Sequence, residues 1–401
     1  MSDEHQTPAS VRGVGELFRG LGRKLAAGEA GALLVLLMVG AIWTFFQLQN
    51  DRFLSPGNLT NLMLQQSAVA TISIGVVLIL LLGEIDLSVG AASGFCASVM
   101  AVLMVTKGVS PVLSMLAALV LGSAIGLFNG FMVTRFRIPS FVVTLAGSLT
   151  LVGLQLYVLG ETGTINLGDN FVTQLTSTFF PPAVGWAVAA GAIVLTAAVA
   201  LTGRARRHAA GLRVQSMRGL VLRLVVVDAA IVALVFIVNQ DRGLPLVVCI
   251  VFGLALAFAY LTESTRFGRH MFAVGGMAEA ARRAGIKINH VRLIVFVLGS
   301  TLAATGGVLG ASRLMAVNQS SGGSDLLLMA IAGPVIAGTS LFGGRGSVWS
   351  ALLGAVVIGS IANGMNLLAF SSSVKYIVTG AVLITAVTIE SITRMRRQGE
   401  R

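Results

Sequence analysis

The sequence predicts an all-α protein, a polytopic bundle of transmembrane helices with both termini in the cytoplasm. Hydrophobic residues make up 55% of the 401 positions and charged residues only 11%, whereas soluble proteins carry about 25% charged residues. The hydrophobic residues form successive runs close to the length of about 20 residues that a membrane-spanning helix needs. The lysines and arginines, which give the chain a net charge of +12, cluster between those runs. Lipid is therefore the environment that this composition fits.

We place twelve spans along the chain. Ten remain possible, because the connections at Glu84–Ser88 and Gly343–Ser347 are too short for ordinary loops between full spans. The predicted spans are residues 31–48, 67–83, 88–106, 112–133, 140–160, 183–202, 220–238, 245–262, 291–311, 326–342, 348–369 and 374–393.

The distribution of basic residues predicts the side on which each connection lies. With the N-terminus inside, the inner segments collect 23 of the 28 lysines and arginines and the outer segments 5. This bias predicts an even number of spans and two cytoplasmic termini. Residues 1–30 then form a cytoplasmic segment, residues 31–393 the transmembrane domain and residues 394–401 a basic cytoplasmic tail. Because the basic residues follow the membrane pattern, the high net charge does not indicate a nucleic-acid partner.

Two inner connections are large enough to have a structure of their own. Residues 203–219 form an Arg-rich connector, and residues 263–290 form the longest inner loop. Strong helix formers that start at Glu279 predict a short helix, with Gly285 as its C-terminal stop. Glu279 and Arg283 are four residues apart and can pair on one face of that helix. The helix either only connects two spans or docks on a partner.

Two carboxylates beside a long apolar run are the most informative polar residues. Glu84 and Asp86 lie in the segment Gly83–Gly90, and a carboxylate in hydrocarbon costs several kcal/mol, so such residues face a cavity, a helix terminus or a solute. Asp86, two residues before Ser88, suits a helix N-terminus whose N–H groups it would cap. Alternatively, Glu84 and Asp86 line a route and hydrogen-bond a polar solute.

Other polar residues at membrane depth extend this candidate translocation pathway. Hydroxyl and amide groups both donate and accept hydrogen bonds, which suits a neutral polyhydroxylated ligand. Interhelical hydrogen bonds are the alternative explanation for each of them. The candidate pathway residues are Glu84, Asp86, Ser88, Gln66, Asn129 and Asn363.

Several functional motifs are missing from the sequence. It has no Gly-x-x-x-x-Gly-Lys-Ser/Thr segment to hold ATP phosphates. It also has no nucleophile elbow, no paired catalytic carboxylates with a base and no cluster of metal ligands. We therefore expect no catalytic residues, no metal and no cofactor bound by this chain.

Four segments, in the same order, resemble the ribose/xylose-type permease subunits of bacterial ABC sugar importers over roughly residues 60–390. The extra pair of spans around residues 203–245 is similar to the xylose branch, whereas Glu84 departs from the glycine common at that place in the wider family. The four segments are Ile85-Asp86-Leu87-Ser88-Val89-Gly90, Thr265-x-x-Gly268-Arg269 with Ala273-x-Gly275, Glu279-Ala280-Ala281 with Gly285-Ile286, and Gly338-Thr339-Ser340-Leu341-Phe342-Gly343-Gly344-x-Gly346-Ser347.

The resemblance implies a homodimeric pore in the bacterial plasma (inner) membrane. The pore would receive a pentose, D-xylose or alternatively another monosaccharide such as ribose, from a soluble sugar-binding protein. A separate ATP-binding subunit would bind ATP and Mg²⁺ and dock on the loop 263–290. The residues of that coupling loop would be Gly268, Arg269, Gly275, Glu279, Ala280, Ala281, Arg283 and Gly285.

A proton-coupled sugar symporter is the main competing prediction, because such carriers also have about twelve spans. It would need a basic Gly-x-x-x-Asp-Arg/Lys-type connection between the second and third spans, and the segment Gly83–Gly90 contains none. A membrane-embedded transferase would need clustered acids or histidines near one interface, which the sequence does not supply.

Overall fold

The computed structural model describes residues 31–160, 163–211 and 216–399, and the predicted segment 1–30 lies outside these ranges. The described chain is a helix bundle with four very short strands. The helices are α1 (Gly31–Gln49), α2 (Pro56–Leu81), α3 (Val89–Ala101), α4 (Pro111–Phe136), α5 (Ser140–Leu159), α6 (Phe171–Ser177), α7 (Pro182–Ala209), α8 (Met217–Asn239), α9 (Leu246–Ser264), α10 (Arg266–Gly276), α11 (Ala278–Arg283), α12 (Ile288–Leu314), α13 (Ser324–Ile336), α14 (Trp349–Leu367) and α15 (Ser372–Gly399). The strands are β1 (Thr164–Asn166), β2 (Phe179–Phe180), β3 (Leu244–Pro245) and β4 (Ala316–Asn318).

Nine helices within the described ranges are long and apolar enough to cross a membrane. An all-α polytopic membrane protein is thereby confirmed, whereas the count of twelve and the sides of the termini stay predictions. In one of them α3 is continued by a π-helical turn, Val102–Thr106. The nine are Pro56–Leu81, Val89–Thr106, Pro111–Phe136, Ser140–Leu159, Pro182–Ala209, Gly219–Asn239, Leu246–Ser264, Ile288–Leu314 and Trp349–Leu367.

The predicted span 326–342 is wrong in its length. Helix α13 has 13 residues and ends at Ile336, which corresponds to about 20 Å of helix against a hydrocarbon core of about 30 Å. Pro334 lies inside its last turn, and Gly338 has a φ of +97°, a conformation that favours glycine and cannot continue a helix. The chain then runs without regular structure to α14.

Three other predicted boundaries move for local reasons. Helix α2 begins eleven residues earlier than predicted, because Ser55 caps it through the N–H of Asn58 and Pro56 occupies its first turn. The span predicted to end at residue 202 continues to Ala209, so part of the Arg-rich connector 203–219 is helical. The predicted tail 394–401 continues α15 as far as Gly399.

Helix α2 lies at the centre of the bundle and is buried along nearly its whole length. It packs against α12, α13 and α14, and α12 packs in turn against α3 and α4. Close approach is achieved by glycine: a Cβ atom on Gly126 of α4 would lie 2.3 Å from the carbonyl oxygen of Phe296 in α12. Small residues are what allow helix backbones to pack this closely in lipid.

The bundle has two ends that differ in their connections. At one end, here called the strand end, β1 pairs antiparallel with β4 and β2 pairs antiparallel with β3. At the other, here called the basic end, the loop before α14 meets the end of α2, where the N–H of Gly344 donates to the carbonyl oxygen of Leu81 at 2.9 Å. The basic end collects the connections 82–88, 137–139, 265–287 and 337–348.

Candidate translocation and coupling sites

Asp86 lies in the connection between α2 and α3 and is only 4% exposed. Its Oδ1 accepts hydrogen bonds from the backbone N–H of Ser88 at 2.7 Å and from the Ser88 hydroxyl at 2.6 Å. Burial raises the pKa of the Asp86 carboxyl above its ordinary value, and the two hydrogen bonds from Ser88 act in the opposite direction. Both contacts are to Ser88, the N-cap residue of α3, and the N–H groups of the helix itself receive no side-chain cap within the described chain. Asp86 therefore fixes the residue at which α3 begins and does not cap the helix in the predicted way.

The second carboxylate oxygen of Asp86 has a different environment. Its Oδ2 is buried and makes no hydrogen bond within the described part of the chain. A cavity of about 20 Å³ lies beside it, with a lining that is otherwise apolar. The lining residues are Val76, Ile79, Leu80, Ile85, Ile331 and Leu341.

Ser88 links the connection 82–88 to α4. Its Oγ accepts a hydrogen bond from Nδ2 of Asn129 at 3.0 Å, and Asn129 is only 1% exposed. Three of the predicted pathway residues therefore form one hydrogen-bonded chain, Asp86 to Ser88 to Asn129. Because both partners of each hydrogen bond are protein groups, this hydrogen-bonded series fixes the start of α3 against α4.

Two hydroxyls that were missed from the sequence hold the same connection from the side of α5. The N–H of Ile85 donates to Oγ of Ser140 at 3.2 Å, and the N–H of Leu87 donates to Oγ1 of Thr144 at 3.0 Å. Ser140 and Thr144 are four residues apart and thus share one face of α5. That spacing was the available signal in the sequence.

Glu84 is not part of the hydrogen-bonded series from Asp86 through Ser88 to Asn129. Its Oε1 lies 2.9 Å from Nε of Arg292 in α12, although the N–H direction does not complete a hydrogen bond. The pair borders a cavity of about 780 Å³ at the basic end. The two carboxylates that are neighbours in the sequence therefore face different surroundings.

The remaining predicted pathway residues lie nearer the strand end. Asn363 in α14 and Asn58 in α2 exchange two hydrogen bonds, at 2.9 and 3.1 Å. Gln66 packs against Gly359 of α14, and its Oε1 is buried without a partner in the described chain. The six predicted residues are thus spread along the bundle and do not form a single cluster. Asp228, for which the sequence offered no role, accepts a hydrogen bond from Thr196 of α7 at 3.0 Å.

The loop 263–290 is more structured than predicted, because α10 precedes the expected short helix α11. Gly285 has a φ of +82°, and its N–H donates to the carbonyl oxygen of Arg282 while the N–H of Ile286 donates to that of Ala281. This is a Schellman motif, and it confirms Gly285 as the C-terminal stop. The expected Glu279–Arg283 pair is wrong: Glu279 lies 3.5 Å from Arg282, which the helix also brings to the same side.

The predicted coupling residues divide into exposed and packed positions. Ala281 is 4% exposed and packs in the core, and a Cβ on Gly268 would lie 2.0 Å from the carbonyl oxygen of Thr262. Loop position Gly275 is also tightly packed. The exposed positions are Arg269, Glu279, Ala280, Arg283 and Gly285.

Four glycines bring the loop 263–290 into contact with both interrupted connections. We call Gly83, Gly275, Gly343 and Gly344 the glycine junction. A Cβ on Gly275 would lie 1.8 Å from the carbonyl oxygen of Leu81, and one on Gly343 would lie 2.7 Å from the N atom of Gly83. Gly83, Gly343 and Gly344 have φ values of +75°, +83° and +72°, which glycine adopts without strain.

A family model described as the permease component of a branched-chain amino acid transport system matches residues 58–387. The match covers the bundle from the start of α2 into α15.

The chain belongs to this permease family.

Relatives support the same conclusion. The xylose transport system permease protein XylH of Escherichia coli K12 is 34% identical over 365 residues, which cover 91% of each chain. XylH of Haemophilus influenzae is 31% identical over 93% of this chain and 99% of its own. The ribose import permease protein RbsC of Escherichia coli K12 is 30% identical over 90% of this chain and 94% of its own. No solved structure matches the chain.

The similarity confirms the resemblance to ribose/xylose-type permeases that the sequence motifs indicated. As a permease component the chain is a transport subunit and not an enzyme. It is a multi-pass protein of the bacterial plasma membrane. The roles of the individual pathway and coupling residues stay predictions.

Proposed function

We propose that this chain is the membrane-spanning permease of an ABC importer that carries a pentose, first of all D-xylose, into the cell. The observation that carries the proposal is the 34% identity to a xylose permease over 91% of both chains. Ribose is the alternative sugar, because a ribose permease matches over a similar share. A proton-coupled symporter does not fit a chain whose family consists of permease components.

The proposed topology has twelve spans with the basic end in the cytoplasm. The nine long helices supply nine spans, and α1, α13 and α15 supply the others, α13 as a half-length helix. The bias of 23 basic residues against 5 supports this orientation. The strand end would then face outward and receive the soluble sugar-binding protein. The homodimeric state follows from the family resemblance, and a mass measurement of the purified permease tests it.

The surface around α11 is the proposed docking site of the ATP-binding subunit, which would hold ATP and Mg²⁺. Glu279 and Arg283 project from it into solvent, and the apolar side chain of Met277 is 67% exposed between α10 and α11. An exposed apolar residue ringed by charges is typical of a protein contact. Ala281 of the same helix packs in the hydrophobic core, so the docking surface is attached directly to the transmembrane bundle.

Uptake by a deletion strain tests the sugar. A strain that lacks its own pentose importers and expresses this chain with its partner subunits should accumulate labelled D-xylose, and unlabelled xylose should compete better than ribose or glucose. Accumulation of ribose alone would replace xylose with ribose and leave the importer intact. Uptake that persists without the ATP-binding subunit would contradict the ABC mechanism.

Reversal of one exposed charge tests the docking surface. Glu279→Arg should leave the fold intact, because its ion pair with Arg282 is exposed and contributes little to stability. We expect the affinity for the ATP-binding subunit to fall roughly tenfold, since a charge-assisted hydrogen bond contributes about 1.5–3 kcal/mol. The measurement is co-purification of the two subunits together with sugar uptake.

Asp169→Arg, an equal charge reversal at an exposed position of the strand end, is the matched control. It should leave association with the ATP-binding subunit unchanged. Gly285→Glu is a poorer variant, because a side chain at a φ of +82° strains the backbone whatever docks there. Unchanged association in Glu279→Arg would place the docking surface elsewhere.

A further inference from the structure

The cavity of about 780 Å³ at the basic end has a strongly cationic lining that the proposed transport function does not use. It lies between the turn from α4 to α5 and the connection from α11 to α12, and Glu84 is the only carboxylate among its lining residues. We call it the basic cavity. The lining residues that matter below are Glu84, Arg137, Ser140, Arg282, Lys287 and Arg292.

The one carboxylate of the lining pairs with only one of its four lysine and arginine side chains. Glu84 lies beside Arg292, and Arg282 lies beside Glu279 outside the cavity. Arg137 and Lys287 make no ion pair within the described part of the chain. The Nε of Arg292 lies 2.9 Å from Oε1 of Glu84, but the direction of its N–H does not complete a hydrogen bond. Arg137 and Lys287 therefore leave a net positive charge at this opening, which attracts an anion.

The backbone adds positive potential at the same place. Helix α5 begins at Ser140 and helix α12 at Ile288, and both residues line the cavity. Neither helix has a side-chain cap or an acidic residue in its first turn. The free N–H groups of a helix N-terminus carry about half a positive charge and are aimed at whatever anion lies in front of them.

Arg137 occupies its position at a conformational cost. Its φ is +57°, a left-handed conformation that glycine adopts freely and that costs other residues on the order of 1 kcal/mol. An arginine in such a place suggests that its side chain is needed there. Arg137 is the residue that ends α4, and this turn of the chain brings it to the edge of the cavity.

We propose that the basic cavity binds a phosphate group. Free phosphate carries more charge and more acceptor oxygens than a carboxylate, and the phosphodiester of a lipid headgroup carries one charge shared by two oxygens. Arg side chains with helix N-termini are the groups that hold both in proteins. The phosphate comes either from the headgroup of an anionic phospholipid or from free phosphate in the cytoplasm. Phe136 and Phe141, which flank the turn from α4 to α5, are 58% and 51% exposed and offer an apolar surface where an acyl chain would lie.

Binding to the purified full-length permease tests the proposal with two probes. Native mass spectrometry counts molecules of phosphatidylglycerol retained against phosphatidylcholine, and a thermal shift measures stabilisation by inorganic phosphate against chloride. The test variant is Arg137→Gly with Lys287→Gln, because glycine removes the charge and relieves the backbone at once. The control is Arg206→Gln with Arg207→Gln, which removes the same charge from exposed positions at the end of α7.

Wild type and control should bind one of the two probes, and the test variant should bind it roughly tenfold more weakly. Retained phosphatidylglycerol identifies a lipid headgroup, and stabilisation by phosphate identifies a free anion. Arg137→Lys, which keeps the charge, should restore binding and excludes a folding defect. Failure of wild type to bind either probe, or equal binding by test and control variants, would overturn the proposal. Loss of only the ATP-binding subunit from the test variant would also overturn it and make the cavity a protein contact.

Discussion

Gly275→Ala should reduce sugar uptake by at least about tenfold, whereas Gly276→Ala should leave it unchanged. A methyl group at residue 275 would lie 1.8 Å from the carbonyl oxygen of Leu81 and 2.9 Å from the N atom of Gly344. Both are backbone atoms, so the loop must move as a body, and overpacking of this kind costs about 1–3 kcal/mol or more. At residue 276 no atom lies within 4 Å of the added methyl group.

The two variants add the same methyl group at adjacent positions, so their effects on helix propensity and hydrophobicity are matched. Uptake is measured together with the amount of permease in the membrane and the ATP hydrolysis of the assembled transporter. We expect Gly275→Ala to insert and to lose the coupling between hydrolysis and uptake, because the displaced segment is the junction of three loops. Equal uptake by both variants would show that the glycine junction has no part in transport.

The glycine junction explains how a docked subunit could act on the transmembrane route. Helix α10 ends at Gly276, and the preceding Gly275 touches the end of α2 and the loop 337–348. The connection 82–88 leads from α2 into Asp86 and Ser88, and the loop 337–348 leads into α14. A rigid displacement of α10 and α11 therefore reaches both helix interruptions through backbone contacts, and no flexible side chain lies between them.

The sequence predicted the helices well where hydropathy alone decides them. The long apolar runs form the long helices. Gly285 could be predicted as the end of α11, because a helix stop of this kind needs only the positive φ of the glycine and two local hydrogen bonds. The start of α2 was missed for a similar local reason, since the Ser55-Pro56 signal lies outside the apolar run. The half-length of α13 was missed because its apolar residues continue past the proline that ends the helix.

Contacts between distant segments could not be predicted from the sequence. The glycine junction depends on three loops that are about 70 to 260 residues apart in the sequence and meet only after the bundle has packed. The sequence likewise placed Glu84 and Asp86 in one site because they are two residues apart. In the structure one reaches Arg292 in α12 and the other turns back to Ser88, because the connection 82–88 has no regular structure that would place residues two apart on a common face.

The loss of Asp86 should harm the fold, because its carboxylate is buried and hydrogen-bonded. Asp86→Ala leaves the N–H and the hydroxyl of Ser88 without their acceptor in a buried place. Each unsatisfied buried group costs about 1–3 kcal/mol, and a protein has only about 5–15 kcal/mol of stability in total. We therefore expect the amount of permease in the membrane to fall severalfold in a quantitative immunoblot, with uptake falling in proportion.

Two further variants separate the structural role of Asp86, which holds Ser88, from contact with the transported solute. Asp86→Asn keeps an oxygen that accepts both hydrogen bonds, so it should restore most of the membrane level. Glu84→Ala removes the nearby carboxylate and leaves the buried Nε of Arg292 without its counter-charge. Because 30% of the Arg292 side chain is exposed to solvent, the membrane level of this variant should still stay near that of wild type. If Asp86→Ala accumulates normally and loses uptake per molecule, the carboxylate acts on the transported sugar and its bonds to Ser88 are secondary. If it fails to accumulate while Asp86→Asn transports, the carboxylate is needed to hold Ser88, and the sugar route must be lined by other side chains.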